Sequence, residues 1–132
     1  GAIRELVAGV ERVECTGPVA EAVSEIARAR VAVAPLISGS GTRLKIIEAW
    51  AAGRAVVSTP GGAEGLATEH GANIAITAAP GAFASEILRL WNDEPARRAL
   101  GDAGRATYEQ RYTWDAAWRA LDQAGGITTS TA

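Results

Sequence analysis

One cysteine, Cys15, stands in 132 residues, so no internal disulfide can form. A reducing compartment, the cytoplasm, is the expected setting. No apolar run approaches the roughly 18 residues that a membrane-spanning helix needs, so no transmembrane segment is expected. No basic segment followed by an apolar one opens the chain, as a secretory signal would. Histidine is nearly absent too. His70 is the single one, and no cysteine or paired carboxylates stand near it at ligand spacing, which argues against a zinc-type metal site. Excess charge of either sign is also lacking. Thirteen Lys+Arg face fifteen Asp+Glu, a formal charge of −2, which speaks against nucleic acid or an anionic membrane bound by bulk charge. Lysine is scarce, Lys45 alone beside twelve arginines.

What is present is the make-up of a folded domain, 48% hydrophobic and 21% charged. The length suffices for one core and not for two. Residues 2–10 carry apolar side chains at helical spacing, and Glu11–Gly17 alternates as a strand would before the turn at Gly17-Pro18. An amphipathic helix is expected from Val19 to Arg30. Val31–Pro35 is short, uncharged and partly β-branched, as a buried parallel strand is. A Gly/Ser loop, Leu36–Gly41, leads into a helix from about Thr42 to Ala52, which Gly53 should stop. Ala55–Ser58 reads as a second buried strand and Asn73–Thr77 as a third.

Pro80 opens a helix, Asp93 is placed to cap the next, and Thr113 a last one. Trp91, Trp114 and Trp118 sit at amphipathic spacing and are assigned to the core. Gly125-Gly126 should end the last helix, so that 1–126 is the domain and 127–132 a frayed tail. Strands alternate with helices until residue 77, and helices alone follow. This is an α/β chain with an open parallel sheet and a helical tail.

The chemistry-bearing feature is a strand, a Gly/Ser loop and a helix in succession. In open parallel sheets ligands sit beyond the carboxyl ends of the strands. A helix N-terminus there presents free N–H groups and partial positive charge to an anion such as phosphate. Gly39 and Gly41 would let the backbone approach that anion closely. Neither the Walker pattern nor GxGxxG fits, because Gly41 is followed by Thr42-Arg43. Glu48 lies in the second turn of the helix. It can accept hydrogen bonds from a diol such as a ribose, or pair with Lys45 at i,i+3. A second glycine-rich loop, Thr59–Gly65, follows the next strand on the same sheet edge, with Glu64 its single charge. No nucleophile elbow surrounds Ser40, which reads as a loop hydrogen bonder.

The run from Val33 to Thr59, with Gly39-Ser-Gly-Thr-Arg-Leu-Lys-Ile-Ile-Glu48 at its centre, then Gly62-Ala-Glu-Gly-Leu66, resembles the nucleotide-sugar-binding region of family 4 retaining glycosyltransferases of the GT-B fold. Asn73-Ile-Ala-Ile76, Leu90-Trp-Asn-Asp93, Gly101-Asp-Ala-Gly-Arg105 and Tyr112-Thr-Trp114 extend the likeness over nearly the whole chain. The resemblance implies the Rossmann-like C-terminal domain that binds a nucleoside-diphosphate sugar, which is substrate, with no resident cofactor. Glu48 matches the second glutamate of the family's E-x7-E pair, the one that holds the ribose hydroxyls. The first glutamate, which contacts the donor sugar, is replaced by Ser40, and the chain fits the branch with the G-x-G-T-R-L-K-I-x-E form. By the same matching the loop from Gly39 and Ser40 through Gly41, Thr42, Arg43 and Leu44 cradles the diphosphate. On that reading Lys45 would be a cationic helper, and the resemblance implies that the turn at Gly17–Val19 would lie near the nucleobase.

The resemblance covers part of a two-domain enzyme. It implies that the acceptor-binding N-terminal domain and the basic pair that neutralises the leaving diphosphate lie outside this chain, which should be inactive alone. With the family's strand order 3-2-1-4-5-6, about four strands remain, numbers 3 to 6, and Glu11–Gly17 loses its neighbours. A homodimer through the exposed strand edge is one expected remedy. Two other readings compete: a nucleotide- or anion-binding module without chemistry, and a sugar-nucleotide epimerase on the same two-domain fold. A receiver-type signalling domain would need acidic residues where Pro35 and Thr59 stand.

Overall fold

In the computed structural model, residues 13, 21–35 and 42–123 are described. Helix α1 (Ala22–Ile26) precedes strand β1 (Val31–Ala34), then α2 (Thr42–Ala51), β2 (Ala55–Ser58) and the short α3 (Pro60–Ala63). Strand β3 (Ala75–Ile76) is followed by three helices, α4 (Pro80–Asn92), α5 (Glu94–Arg111) and α6 (Trp114–Gln123). The strands form one parallel sheet in the order β1-β2-β3. Val31 pairs with Ala55 and Val57 with Ala75. An open parallel sheet with helices on both faces is a partial Rossmann-like domain. The expected strand Glu11–Gly17 and the helix over residues 2–10 lie outside the described residues, as do Gly125-Gly126 and the tail 127–132.

Alternation along each strand splits the core into two layers. On one face Ala34, Val56 and Ile74 pack with Ile46, Ala49 and Trp50 of α2. On the other, Ala55, Val57 and Ala75 pack with Leu90 of α4 and Leu100 of α5. Helix α5 serves both layers: Leu100 joins the second, while Tyr108 packs against the first. Its glycines permit this crossing. A Cβ on Gly101 would overlap the Gly53 carbonyl oxygen, and one on Gly104 would come within 2.8 Å of Trp50 Nε1.

Helix ends follow local chemistry. Gly53, at φ +69, ends α2 in the left-handed region. The Arg54 N–H then donates to Ala49 O at 3.0 Å and the Gly53 N–H to Trp50 O at 2.9 Å, the paired bonds of a Schellman ending. Asp93 accepts from the Ala96 N–H at 3.0 Å and caps α5. Thr113 accepts from the Ala116 N–H at 3.1 Å and caps α6.

Three expectations need correction. The first helix spans Ala22–Ile26 among the described residues, shorter than Val19–Arg30. The third strand is Ala75–Ile76, not Asn73–Thr77. Asn73 is buried and closes a loop instead: its Oδ1 accepts from the Glu69 N–H, and its Nδ2 donates to Ala67 O and Thr107 Oγ1. The tryptophan assignment fails as well. Trp91, Trp114 and Trp118 are 47, 82 and 62% exposed, and Trp50 is fully buried.

Candidate functional site

Helix α2 starts beyond the carboxyl end of β1, because the chain leaves Ala34 at that edge and must return antiparallel to reach β2. The first amides of any helix have no acceptor within it, and here these include Thr42, Arg43 and Leu44. Ile46, Ala49 and Trp50 turn into the core, which leaves Leu44 and Lys45 exposed and Glu48 half-buried on the other side. Among the described residues neither Lys45 nor Glu48 makes an ion pair, so the i,i+3 pairing of the two is not formed. Glu48 stands six residues into the helix, roughly 9 Å along its axis at 1.5 Å per residue. Gly39, Ser40, Gly41 and Val19 lie outside the described residues, and of Thr42 and Arg43 only the helical backbone is described.

The second loop comes to the same sheet edge. The Thr59 N–H donates to Ala34 O at 3.3 Å, tying the carboxyl ends of β1 and β2 together. Thr59 Oγ1 accepts from the Gly62 N–H at 3.1 Å and starts the single turn of α3, with Pro60 at its first position. Gly65 then takes φ +86. Glu64 is exposed.

A hollow of about 370 Å³ opens at this carboxyl edge, bounded by Pro35, Thr59 and Ala78 after the three strands and by Pro80, Phe83 and Ile87 of α4. Its wall is largely apolar. Sequence reasoning did not single it out, although Phe83 and Ile87 at i,i+4 mark the face of α4 that reaches it. Glu48 does not line this hollow, since α2 packs on the sheet face opposite α4. His70 is committed elsewhere, its Nδ1 accepting from the Ile76 N–H at 2.9 Å. Among the described residues no three His, Cys, Asp or Glu side chains gather as metal ligands would. No helix among them is long and apolar enough to cross a membrane.

Neither the curated proteins nor the solved structures yield a match. The family model described as glycosyl transferases group 1 matches residues 1–93, which takes in the sheet, both glycine-rich loops and all of α4. With most of its length inside that match, an open parallel α/β sheet, and a helix N-terminus at the edge where such sheets bind ligands, the chain belongs to the group 1 glycosyltransferases.

Proposed function

We propose that this chain is the donor-binding part of a family 4 enzyme that transfers a sugar, with retention, from a nucleoside diphosphate to an acceptor. The amides at the start of α2, with the loop from Gly39 to Leu44, hold the diphosphate. They stabilise the negative charge that grows there as the sugar departs. Lys45 adds a positive charge nearby. Glu48, acceptor-only when ionised, takes hydrogen bonds from the two ribose hydroxyls. Ser40 stands where the family's first glutamate would contact the sugar, so this chain contacts it with a hydroxyl instead of a carboxylate. Acceptor binding and the basic pair that neutralises the leaving diphosphate are assigned to parts of the enzyme outside this chain.

One observation carries this reading: Glu48 is an accessible carboxylate without an ion-pair partner among the described residues, on the helix that starts at the carboxyl edge. A carboxylate with nothing to balance it is available to a ligand. The test is titration of the chain with UDP, GDP and ADP by calorimetry and NMR, repeated with Glu48→Ala. One nucleotide should shift the amides at the start of α2. The substitution should weaken it by roughly ten- to a hundredfold, the range for lost hydrogen bonds to a charged group. Binding unchanged by Glu48→Ala, or no shift with any nucleotide, would overturn the assignment.

Among the described residues β1 pairs on one side only, with β2. A second copy of the chain covers its other side in the proposed dimer.

A further inference from the structure

The amino ends of β1 and β2, opposite the candidate donor edge, hold a different kind of hollow. It measures about 120 Å³ and is lined by Arg30 just before β1, Arg54 just before β2, and Glu94, Arg97 and Arg98 from the first turns of α5. Four guanidinium groups thus meet one carboxylate, in a chain whose overall charge is −2.

Three of the four arginines have partners. Arg97 is mostly buried, donates to Leu90 O and Trp91 O at the end of α4, and lies 3.8 Å from Glu94. Arg98 is largely exposed and pairs with Glu94 at 3.5 Å. Arg30 lies 4.7 Å from the centre of the Trp91 ring. Arg54 differs: its Nε is buried without a hydrogen-bond acceptor, and no acidic side chain pairs with it among the described residues. Glu94 is already shared between Arg97 and Arg98. A buried donor left unsatisfied is costly, the more so on a charged group.

We propose that this basin is a binding site for a phosphate group. Guanidinium forks match the oxygens of phosphate in paired hydrogen bonds. The space equals that of about four liquid waters at roughly 30 Å³ each, which suits a single tetrahedral oxyanion and is too small for a nucleotide. A dianion balances more of the positive excess than a carboxylate would. Arg54 lines the hollow, and a rotation of its side chain brings the shielded Nε to the anion, while Arg30 and Arg98 close over it from the rim. The site is separate from the proposed donor site, with the sheet between them, and does not depend on that reading. Its phosphate is carried either by a small soluble molecule or by a lipid headgroup.

The test uses the full chain and inorganic phosphate, with chloride at matched ionic strength as reference. In wild-type protein, the Nε–Hε resonance of Arg54 should move saturably with millimolar phosphate, and thermal unfolding should shift upward. Arg54→Gln should abolish both responses, and Arg98→Gln at the exposed rim should weaken the affinity severalfold. No Arg54 response beyond that in chloride overturns the proposal, even if Arg54→Gln fails to fold. A response confined to the first amides of α2 also overturns it, while leaving the donor assignment standing. Cosedimentation with phosphatidylcholine vesicles containing phosphatidic acid separates the sources. Phosphate-competed binding supports a lipid headgroup, and phosphate binding without cosedimentation supports a soluble ligand.

Discussion

Trp50 and Asn73 carry much of the chain's connectivity between them. Trp50 is fully buried in α2, its Nε1 donates to Asn73 O at 3.1 Å, and its ring lies 5.9 Å from that of Tyr112. Tyr112 in turn accepts from the Ala67 N–H through its hydroxyl, so the loop after α3 is fixed from two sides. Trp50→Ala should cost about 3–5 kcal/mol, the usual range for emptying a buried aromatic site. Trp114→Ala should stay within about 0.5 kcal/mol, because it removes an exposed ring. Urea unfolding of the two variants checks this, and equal losses would contradict the burial pattern. Periodicity in the sequence showed which tryptophans share a helix face. It could not show which faces meet a neighbour, and so the three on α4 and α6 went to the core wrongly. Asn73 was misread for a related reason: apolar neighbours at Ile74 and Ile76 suggested a strand, but its amide bonds two groups of a loop, the Glu69 N–H and Ala67 O, and Thr107 Oγ1 of α5.

At the scale of elements, the crossing of α5 over the end of α2 rests on small residues. Gly101→Ala should destabilise by about 1–3 kcal/mol, since the added methyl meets backbone at Gly53 that cannot swing aside. Gly81→Ala, in the first turn of α4 with open space around it, should instead be neutral or stabilising by up to about 1 kcal/mol. Paired thermal melts of the two variants decide it; equal shifts would mean that α5 does not approach the α2 end closely. The helix boundaries themselves were legible beforehand. Gly53, Asp93 and Thr113 act through bonds spanning three to five residues and Pro80 through its own fixed φ, so their effect is written locally. The packing glycines were not legible, because nothing in a local window distinguishes a glycine under another backbone from one facing solvent.

For the whole molecule, the two ends of the sheet have different chemistry. The carboxyl edge carries the start of α2, the loop after β2 and an apolar hollow, whereas the amino edge gathers arginines. Among the described residues β1 has a strand neighbour on one side only, which is the physical basis for the proposed dimer. Static light scattering after size exclusion at micromolar concentration should give twice the chain mass of 13.6 kDa; a monomeric mass would dispose of that edge as an interface.

The alternation of short apolar strands with helices determined an open parallel sheet from the sequence alone, since apolar strands need helices to cover them. Strand β1, expected to be buried, is so only at Ala34, with Val33 47% exposed. The sequence likewise placed Glu48 on the helix after the first glycine-rich loop. Tertiary structure decided which faces those helices turn inward, how far the third strand runs, and that Glu48 and the apolar hollow stand on opposite sides of the sheet. It alone brought Arg30, Arg54 and Arg97 together from three separate segments. Contacts between residues far apart in the chain depend on the closing of the whole fold, and no local pattern encodes them.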